Sequence, residues 1–336
     1  MTFARTVRRT LRQRLAALLL CGLAGLVAPG ARAADTPAAP PVDCPPVATA
    51  PTEAQMRSAV AQARDRGLLW RIERDGQASH LYGTVHIGKL AWTVPGPRVR
   101  QALMAADTLA LELDFTDPAM ARKLAAMVAA PDGGHGVPLP PALQARLARL
   151  VEAACLPPDS LQGQHPVMQA LSLTLMSARR EGLDPAFAQE FSLAGFMRAL
   201  QRNVVSLETP ELQMAALVPA DPAQSLRMVQ QMVEQLEAQR AQALLLRLAD
   251  VWERGDLAQI ERYEAWCDCV ETEDDRQQMQ RLNDARNPGL ADRIEALHRE
   301  GRQLFVAVGA LHMTGPQALP RLLAQRGFRV ERVPLR

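Results

Sequence analysis

The distribution of strand-like segments is the feature that most constrains the fold of this chain. Apolar or alternating segments lie near both ends, whereas the middle repeats Leu, Met and Val at helical spacing. Strands at both ends with a helical middle are typical of an α+β or α/β fold. We expect a mixed central sheet formed by N- and C-terminal strands, with a large helical insertion at about 118–200 and 222–300. The predicted strands are Leu68 to Glu73, Ser79 to Ile87, Thr108 to Phe115, Asn203 to Leu207, Gln303 to Val308 and Phe328 to Val333.

The first 33 residues have the three parts of a secretory signal peptide. Five arginines precede an apolar run from Leu15 to Val27, and the segment contains no acidic residue. The apolar run is too short to span a bilayer comfortably. Ala31-Arg32-Ala33 then supplies the small-x-small pattern that signal peptidase recognises. We therefore expect cleavage near Ala33-Ala34 and a mature chain that is periplasmic or secreted.

Removal of residues 1–33 changes the charge balance of the chain. This segment holds six of the 38 basic residues and none of the 36 acidic ones, which leaves 32 basic and 36 acidic residues. A slightly acidic chain argues against nucleic acid or an anionic membrane surface as a partner. No later apolar stretch is long enough to predict a membrane span. Residues 34–52, rich in Pro and Ala, predict an extended linker, and residues 53–336 predict a single domain.

Four cysteines remain after cleavage, and an even number in an exported chain favours two disulfides. They are Cys44, Cys155, Cys267 and Cys269. Cysteines separated by one residue rarely have the geometry to bond each other. We therefore expect Cys267 and Cys269 each to form a disulfide with Cys44 or Cys155, in a pairing that the sequence leaves open. The alternative is a metal site that uses Cys267 and Cys269.

Two segments more than 200 residues apart share one pattern, an apolar strand that runs into Gly-x-x-His. HLYGTVHIG contains Gly83 and His86, and LFVAVGALHMTG contains Gly309 and His312. Glycine at a strand end permits a turn or a close approach of the backbone. A histidine three residues later would project from the end of the sheet, where ligand sites commonly lie. A single histidine of this kind is often only hydrogen-bonded, but the duplication favours a shared site.

Carboxylates follow two further strands. Glu112 and Asp114 alternate in LELD, which predicts that they share a face, and Glu208 ends VVSLE. Because a buried acid is costly unless it is paired or bound to metal, each could form a salt bridge, for which Arg286 is a candidate, or complete a metal site. Mixed His and carboxylate ligands suit zinc, manganese, iron or cobalt better than calcium. Such an ion could activate water and polarise a carbonyl.

The ordered set of these segments resembles the TraB/GumN family, also described as PrgY or pheromone-shutdown proteins, which is related to the Tiki metalloproteases that cleave Wnt proteins. The resembling segments are LLWRIERDGQASHLYGTVHIG, LELDFTDP, VVSLETPELQ, LNDARNP and LFVAVGALHMTG. They extend over about residues 68 to 333. The resemblance implies a metal-dependent hydrolase core. The residues at the characteristic positions of the family are His86, Glu112, Glu208, Arg286 and His312, with Glu190 at a further acidic position.

The leading hypothesis is therefore a periplasmic metal-dependent, peptidase-like hydrolase of a peptide or small-molecule substrate. His86 and His312 would bind the metal, with Glu112 or Glu208 completing the ligand shell. The other acid would act as general base, and Arg286 would stabilise an oxyanion or pair with a carboxylate. We expect the imidazole nitrogens of the two histidines to lie within about 5 Å of each other, and a separation of more than about 10 Å would exclude a shared ion. The alternatives are a cell-envelope protein that binds a metal, haem or a small ligand without turnover, and a catalytically silent scaffold.

Overall fold

The structure, a computed structural model, describes residues 44–45, 47–129 and 137–335. The predicted signal peptide and its cleavage site lie outside these residues, as does most of the predicted linker. None of the helices in the described ranges combines the length and the hydropathy that a membrane span needs.

Within the described residues, six strands form one mixed sheet. They are β1 (Leu68–Arg74), β2 (Gln77–Thr84), β3 (Thr108–Leu111), β4 (Asn203–Ser206), β5 (Leu304–Gly309) and β6 (Arg329–Val333). Their order across the sheet is β4-β3-β5-β2-β1-β6. The strands β4, β3, β5 and β2 run parallel, and β1 is antiparallel to both β2 and β6. The predicted α+β fold, with a mixed sheet built from both ends of the chain, is confirmed.

Helices fill the interval between the strands. They are α1 (Glu53–Ala61), α2 (Pro97–Ala105), α3 (Pro118–Val128), α4 (Pro141–Ala153), α5 (Pro166–Met176), α6 (Gln189–Ala199), α7 (Pro210–Leu217), α8 (Pro222–Glu237), α9 (Arg240–Glu253), α10 (Leu257–Glu261), α11 (Tyr263–Trp266), α12 (Glu273–Leu282), α13 (Asn287–Arg299) and α14 (Leu319–Gln325). The helices α3 to α13, interrupted by β4, make up the insertion between β3 and β5. A short 3-10 turn, Ala310–Met313, follows β5 directly.

Local backbone conformation explains where these helices end. The chain breaks between α8 and α9 and between α9 and α10, where Gln239 and Gly255 adopt left-handed φ values of 57° and 63°, which a continuing helix does not allow. Gly301, just past the end of α13, has a φ of 81°, and its N–H donates to the carbonyl of His298. Glycine there lets the chain leave the helix at little conformational cost.

The core anchors the end of β2 to the insertion. Trp252 of α9 is fully buried, and its indole N–H donates to the carbonyl oxygen of Gly83 at 2.7 Å. The hydroxyl of Tyr82 donates to the carbonyl of Arg66 at 3.0 Å. A second, smaller apolar cluster joins α4, α5 and α8. The insertion therefore has a core of its own and also packs on the sheet beside the first Gly-x-x-His motif.

The disulfide pairing differs from the sequence prediction. Cys44 bonds Cys155, and Cys267 bonds Cys269. The expectation that Cys267 and Cys269 would not bond each other is wrong because Asp268 has a left-handed φ of 49°. That conformation folds the chain back and brings the two Cα atoms to 5.0 Å, within the usual range for a disulfide. Both sulfurs are used in this bond, so the alternative metal site at Cys267 and Cys269 is not formed.

Candidate active site

The predicted site residues follow the four parallel strands at one edge of the sheet. The end of β2 is in register with the end of β5, where Thr84 pairs with Gly309, and the end of β3 is in register with that of β4. The carboxyl ends of parallel strands are where α/β sheets commonly place ligand sites. The residues that follow the strands here are His86, Glu112, Glu208 and His312.

Three of these side chains meet beside Gly309. A β-carbon on Gly309 would lie 3.4 Å from Oε1 of Glu112, 3.6 Å from Nε2 of His86 and 3.6 Å from Cδ2 of His312. Nε2 of His312 is itself 3.7 Å from Oε1 of Glu112. Each histidine ring therefore has an atom within 3.6 Å of one point, Nε2 for His86 and Cδ2 for His312, which keeps these two atoms inside the separation of about 10 Å that would exclude a shared ion. The missing side chain of Gly309 leaves that point free.

Gly83 has a different role from Gly309. A β-carbon on Gly83 would lie 3.1 Å from the Cα of Ala310, which is closer than side chains normally approach a backbone. Glycine at this position lets the turn Ala310–Met313 pack directly against β2. Since this turn carries His312, Gly83 sets the position of the second histidine relative to the first strand.

Glu112 is at the centre of the hydrogen-bond network. Its Oε1 accepts the backbone N–H of Gly309 at 2.7 Å, and its Oε2 accepts from Gln213 at 3.3 Å and from Arg286. Burial opposes ionisation of this side chain, but the neighbouring His312 and Arg286 outweigh burial and hold its pKa well below the usual value. Glu112 therefore stands as a carboxylate whose two oxygens are fixed in direction.

Arg286 joins Glu112 to Glu208. Its Nε donates to Oε1 of Glu208 at 2.9 Å, and its Nη2 donates to Oε2 of Glu208 at 2.5 Å and to Glu112. Burial would lower the pKa of Arg286, but the two carboxylates outweigh it and raise that pKa above its ordinary value. Both oxygens of Glu208 are thus bonded to the guanidinium. Of the two acids offered as ligands by the sequence, Glu112 is the one that lies beside the histidines.

Asp114 does not share the environment of Glu112, contrary to the expectation from alternation. The strand β3 ends at Leu111, so the two acids lie beyond the regular alternation of side chains. Asp114 instead pairs with Arg198 and accepts from the hydroxyl of Thr116 at 2.6 Å. It supports the loop after β3 and not the site.

His86 is backed by Glu190, whose role the sequence resemblance left unassigned. Nδ1 of His86 is 3.1 Å from Oε1 of Glu190, and the same oxygen accepts from the hydroxyl of Thr84 at 2.5 Å. Desolvation lowers the pKa of His86, but the Glu190 carboxylate outweighs it and raises the pKa to about 9. The His86 side chain is 53% exposed, whereas Glu190 is buried and its Oε2 has no hydrogen-bond partner. His86 therefore forms the accessible side of the site.

His312 is held by Asn287, a residue that sequence reasoning missed. Asn287 is fully buried, and its amide nitrogen donates to the carbonyls of Gln317 at 2.8 Å and of His312 at 3.3 Å. Its Oδ1 faces Nδ1 of His312 at 2.5 Å. Because the amide nitrogen serves two carbonyls, the oxygen must accept, and Nδ1 carries the proton. In the neutral ring the lone pair is then on Nε2, which lies 3.7 Å from Oε1 of Glu112. The Asn in ARNP, directly after Arg286, was the only signal for this role.

A family model described as the TraB/PrgY/gumN family matches residues 68–332. This range contains every residue of the candidate site. The chain belongs to the TraB/PrgY/gumN family. No curated protein and no solved structure was found to match it. For this TraB/PrgY/gumN protein, the function therefore has to be argued from the site itself.

Three exposed apolar side chains of this TraB/PrgY/gumN protein, which we call the apolar rim, lie close along the chain to residues of the site. We use that name for Phe115, Phe191 and Leu212, which are 38%, 42% and 58% exposed. The rings of Phe115 and Phe191 are in contact, with centroids 6.3 Å apart. Phe191 directly follows Glu190, and Leu212 directly precedes Gln213, so both lie one residue from a side chain of the network. These residues were also not singled out from the sequence.

As the side chains stand, the described residues contain no group of three or more His, Cys, Asp or Glu close enough to hold a metal ion. Two cavities, of about 500 and 370 Å³, lie away from the site around Asp65, Glu253 and Arg254. Their walls include charged side chains that already pair with each other, such as Arg64 with Glu253 at 2.5 Å. The candidate site is therefore identified by its converging side chains.

Proposed function

We propose that this TraB/PrgY/gumN protein is an exported, metal-dependent hydrolase that acts on peptide-like substrates. The observation that supports this proposal most is the convergence of His86, Glu112 and His312 beside Gly309. Hydrolysis needs a group that activates water and positive charge where an oxyanion develops. A cation held by these three residues would meet both needs.

The chemistry of the donors fits a divalent cation. When His312 is neutral, its Nε2 presents a lone pair 3.7 Å from Oε1 of the ionised Glu112. Two electron-rich atoms that face each other favour a positive species between them. Ligands of one zinc ion at about 2.0–2.1 Å lie no more than roughly 4.2 Å apart, so this pair needs no rearrangement. His86, whose Nε2 faces the same point, would be the third ligand.

The surroundings of the two histidines also fit a metal centre. Ligating histidines usually donate their second N–H to a carboxylate or a carbonyl oxygen, which orients the ring. Here Glu190 takes that position for His86, and Asn287 takes it for His312. This mixed donor set suits zinc, manganese, iron or cobalt. When bound, such an ion would polarise a carbonyl and lower the pKa of a water molecule.

The remaining residues of the network position the ligands. Arg286 and the N–H of Gly309 fix the two oxygens of Glu112, so that its carboxylate cannot turn away from the site. Glu208 has both oxygens on Arg286, which leaves it poorly placed to act as the general base. We assign Glu208 and Arg286 to holding Glu112, and we assign substrate contact to the open side of the site at His86.

The exposure of His86 favours an enzyme over a closed binding protein. Structural metal sites are fully coordinated by protein ligands, whereas catalytic sites keep a position for water or substrate. Three protein ligands and a half-exposed histidine leave room for such a position. The apolar rim beside it suits a substrate with a bulky apolar side chain next to the bond that is cleaved.

The predicted signal peptide and the Cys44–Cys155 disulfide support export to the periplasm, because such bonds persist in oxidising compartments. The intact mass of protein recovered from the periplasm tests this part of the proposal. We expect an N-terminus at or within a few residues of Ala34. Recovery of protein that still begins at Met1 would contradict export by cleavage.

Metal content and hydrolysis should be measured together, on protein purified without a His-tag. We expect about one transition-metal ion per chain by elemental analysis, and cleavage of fluorescein-labelled casein or of a peptide library. His312→Ala should lose both. His165→Asn is the matched control, because His165 caps α5 through its side chain and asparagine can cap equally well.

The two measurements separate the proposal from its rival. Bound metal without turnover of any of these probes would favour a metal-binding protein of the cell envelope. A wild-type protein that contains no metal, and that gains none from zinc, manganese, iron or cobalt salts, would contradict the metal-dependent proposal.

A further inference from the structure

The two disulfides of the described chain differ in what they can contribute to stability. Cys44 and Cys155 are 111 residues apart, whereas Cys267 and Cys269 are two residues apart. In the chain-entropy model, a disulfide stabilises the fold more when it closes a longer loop. The Cys267–Cys269 bond therefore restricts the unfolded chain very little. A structural role does not account for it.

The backbone within the Cys267–Cys269 bond is strained. Asp268 is exposed and has a left-handed φ of 49°, a conformation that costs free energy for a residue with a β-carbon. Closing the bond requires this conformation, because it brings the Cα atoms to 5.0 Å. Reduction releases Asp268 from that requirement. The oxidised form is thus disfavoured relative to the reduced form, which is the property of a labile disulfide.

Hydrogen-bond donors are in place for both sulfurs. The backbone N–H of Cys269 is 3.2 Å from Sγ of Cys267, and the hydroxyl of Tyr263 is 3.6 Å from Sγ of Cys269. Burial raises the pKa of Tyr263 to about 12, so its hydroxyl keeps its proton and can donate. Donors of this kind stabilise a thiolate and make it a better leaving group.

The two sulfurs also differ in access. Cys267 is 6% exposed, whereas Cys269 is half-buried. An incoming thiolate therefore reaches Cys269 first. The leaving sulfur is that of Cys267, which the N–H of Cys269 already contacts. Access and the N–H of Cys269 favour attack on Cys269, whereas the short spacing and the strain at Asp268 favour opening of the bond in either direction.

We propose that Cys267 and Cys269 form a thiol–disulfide exchange site for a dithiol protein of the same compartment. A thiolate of the partner attacks Sγ of Cys269, the Cys267–Cys269 bond breaks, and Cys267 leaves as a thiolate. The second thiol of the partner then attacks the mixed disulfide and releases Cys269. The partner gains a disulfide and this chain gains two thiols, so two electrons pass from the partner to Cys267 and Cys269. The reverse reaction oxidises the pair.

A redox titration of the mature protein tests this proposal, with dithiothreitol and then glutathione as the probes. Free thiols are trapped with N-ethylmaleimide at each ratio and assigned by peptide mapping. We expect the Cys267–Cys269 bond to open at a ratio of reduced to oxidised probe at least 100-fold lower than Cys44–Cys155. The far-UV circular dichroism should not change over that step. Reduction of both bonds together, or only on unfolding, would overturn the proposal.

Two variants link the result to the structural argument. Asp268→Gly removes the strain, so its Cys267–Cys269 bond should need a three- to tenfold more reducing ratio than the wild type. An unchanged midpoint would contradict the role of Asp268. The variant with both Cys267 and Cys269 changed to Ser should keep the wild-type melting temperature, because this bond adds little to stability. A large loss of stability in that variant would mean that the bond is structural.

Discussion

The Oδ1 atom of Asn287 and the Nδ1 atom of His312 lie 2.5 Å apart, in a part of the molecule that solvent does not reach. Asn287 also begins α13, and Arg286 precedes it directly. One short segment therefore fixes both a histidine and a guanidinium of the site. The two functions of this segment can be separated by mutation, because Asn287 contacts His312 whereas Arg286 contacts Glu112 and Glu208.

Asn287→Ala should weaken metal binding by about 10- to 100-fold, the usual effect of removing a group that orients a ligand. Asn287→Asp should weaken it less, since a carboxylate still accepts from Nδ1 of His312 although it loses the bonds to two carbonyls. Competition with a chromogenic chelator measures both affinities. Asn203→Ala, at an exposed position on β4, is the control. Equal affinities in Asn287→Ala and the wild type would show that Asn287 does not position the ligand.

Arg286→Met should destabilise the fold by about 3–5 kcal/mol, because it leaves two buried carboxylates without their cation. The matched control is Arg329→Met. Its side chain is 60% exposed and pairs with Glu73 at the surface, so the cost there should not exceed about 1 kcal/mol. Urea unfolding gives both values. Adding Glu208→Gln to Arg286→Met should recover part of the loss, and similar costs for the two arginine variants would refute the buried network.

Gly309→Ala should keep the fold and block the site. Its β-carbon would make ordinary contacts of 3.4–3.6 Å with Glu112, His86 and His312, so we expect a change in unfolding free energy of less than about 1 kcal/mol. The methyl group would occupy the point that the three ligands share, and metal binding should be lost. Elemental analysis and urea unfolding check the two halves of this prediction.

Gly83→Ala provides the contrast to Gly309→Ala. Its β-carbon would lie 3.1 Å from the backbone of Ala310, and the turn that carries His312 would have to move. A cost of about 1–3 kcal/mol is expected for such overpacking. If Gly309→Ala proves the more destabilising of the two, the space beside Gly309 is needed for packing and not for a ligand.

Phe191→Ser should raise KM for peptides with a bulky apolar side chain by about tenfold, since the loss of a partly buried apolar contact is on the order of 1.4 kcal/mol. Peptides with small polar side chains should be unaffected, and so should kcat. Met104→Ser is the control, because Met104 is similarly exposed but lies at the end of α2. An equal increase in KM for both classes of peptide would show that the apolar rim does not select the substrate.

The strands and the Gly-x-x-His motifs could be predicted because their signals are local. The segment from Leu304 to Gly309 is apolar throughout, as a strand buried on both faces requires. The glycines mark places where the backbone or a ligand comes close, and both histidines follow them at the same spacing. The edge of the sheet at which they meet follows from parallel pairing alone.

Other features depend on contacts that no local pattern encodes. Arg286 and Glu208 are 78 residues apart, and their bidentate pairing forms only when the fold brings the residue before α13 next to a residue that follows β4. The Cys267–Cys269 bond was mispredicted because it depends on a left-handed Asp268, a conformation that residues with a side chain seldom adopt. Asn287 was missed because a buried amide has no periodicity, and its role is visible only with His312 in place.

The position of β5 in the sheet has a consequence for biosynthesis. This strand lies between β2 and β3, yet the backbone N–H of Leu304 meets its acceptor, Ser79, across 225 residues. A ribosome that has made the first 300 residues has released the β1–β2 hairpin and the β3–β4 pair, but not the strand that joins them. Until β5 is in place, the β1–β2 hairpin and the β3–β4 pair each have an unpaired apolar edge strand, which can pair with other chains. The nascent chain therefore needs protection until β5 has emerged and joined the two halves, and the histidines can meet only after that.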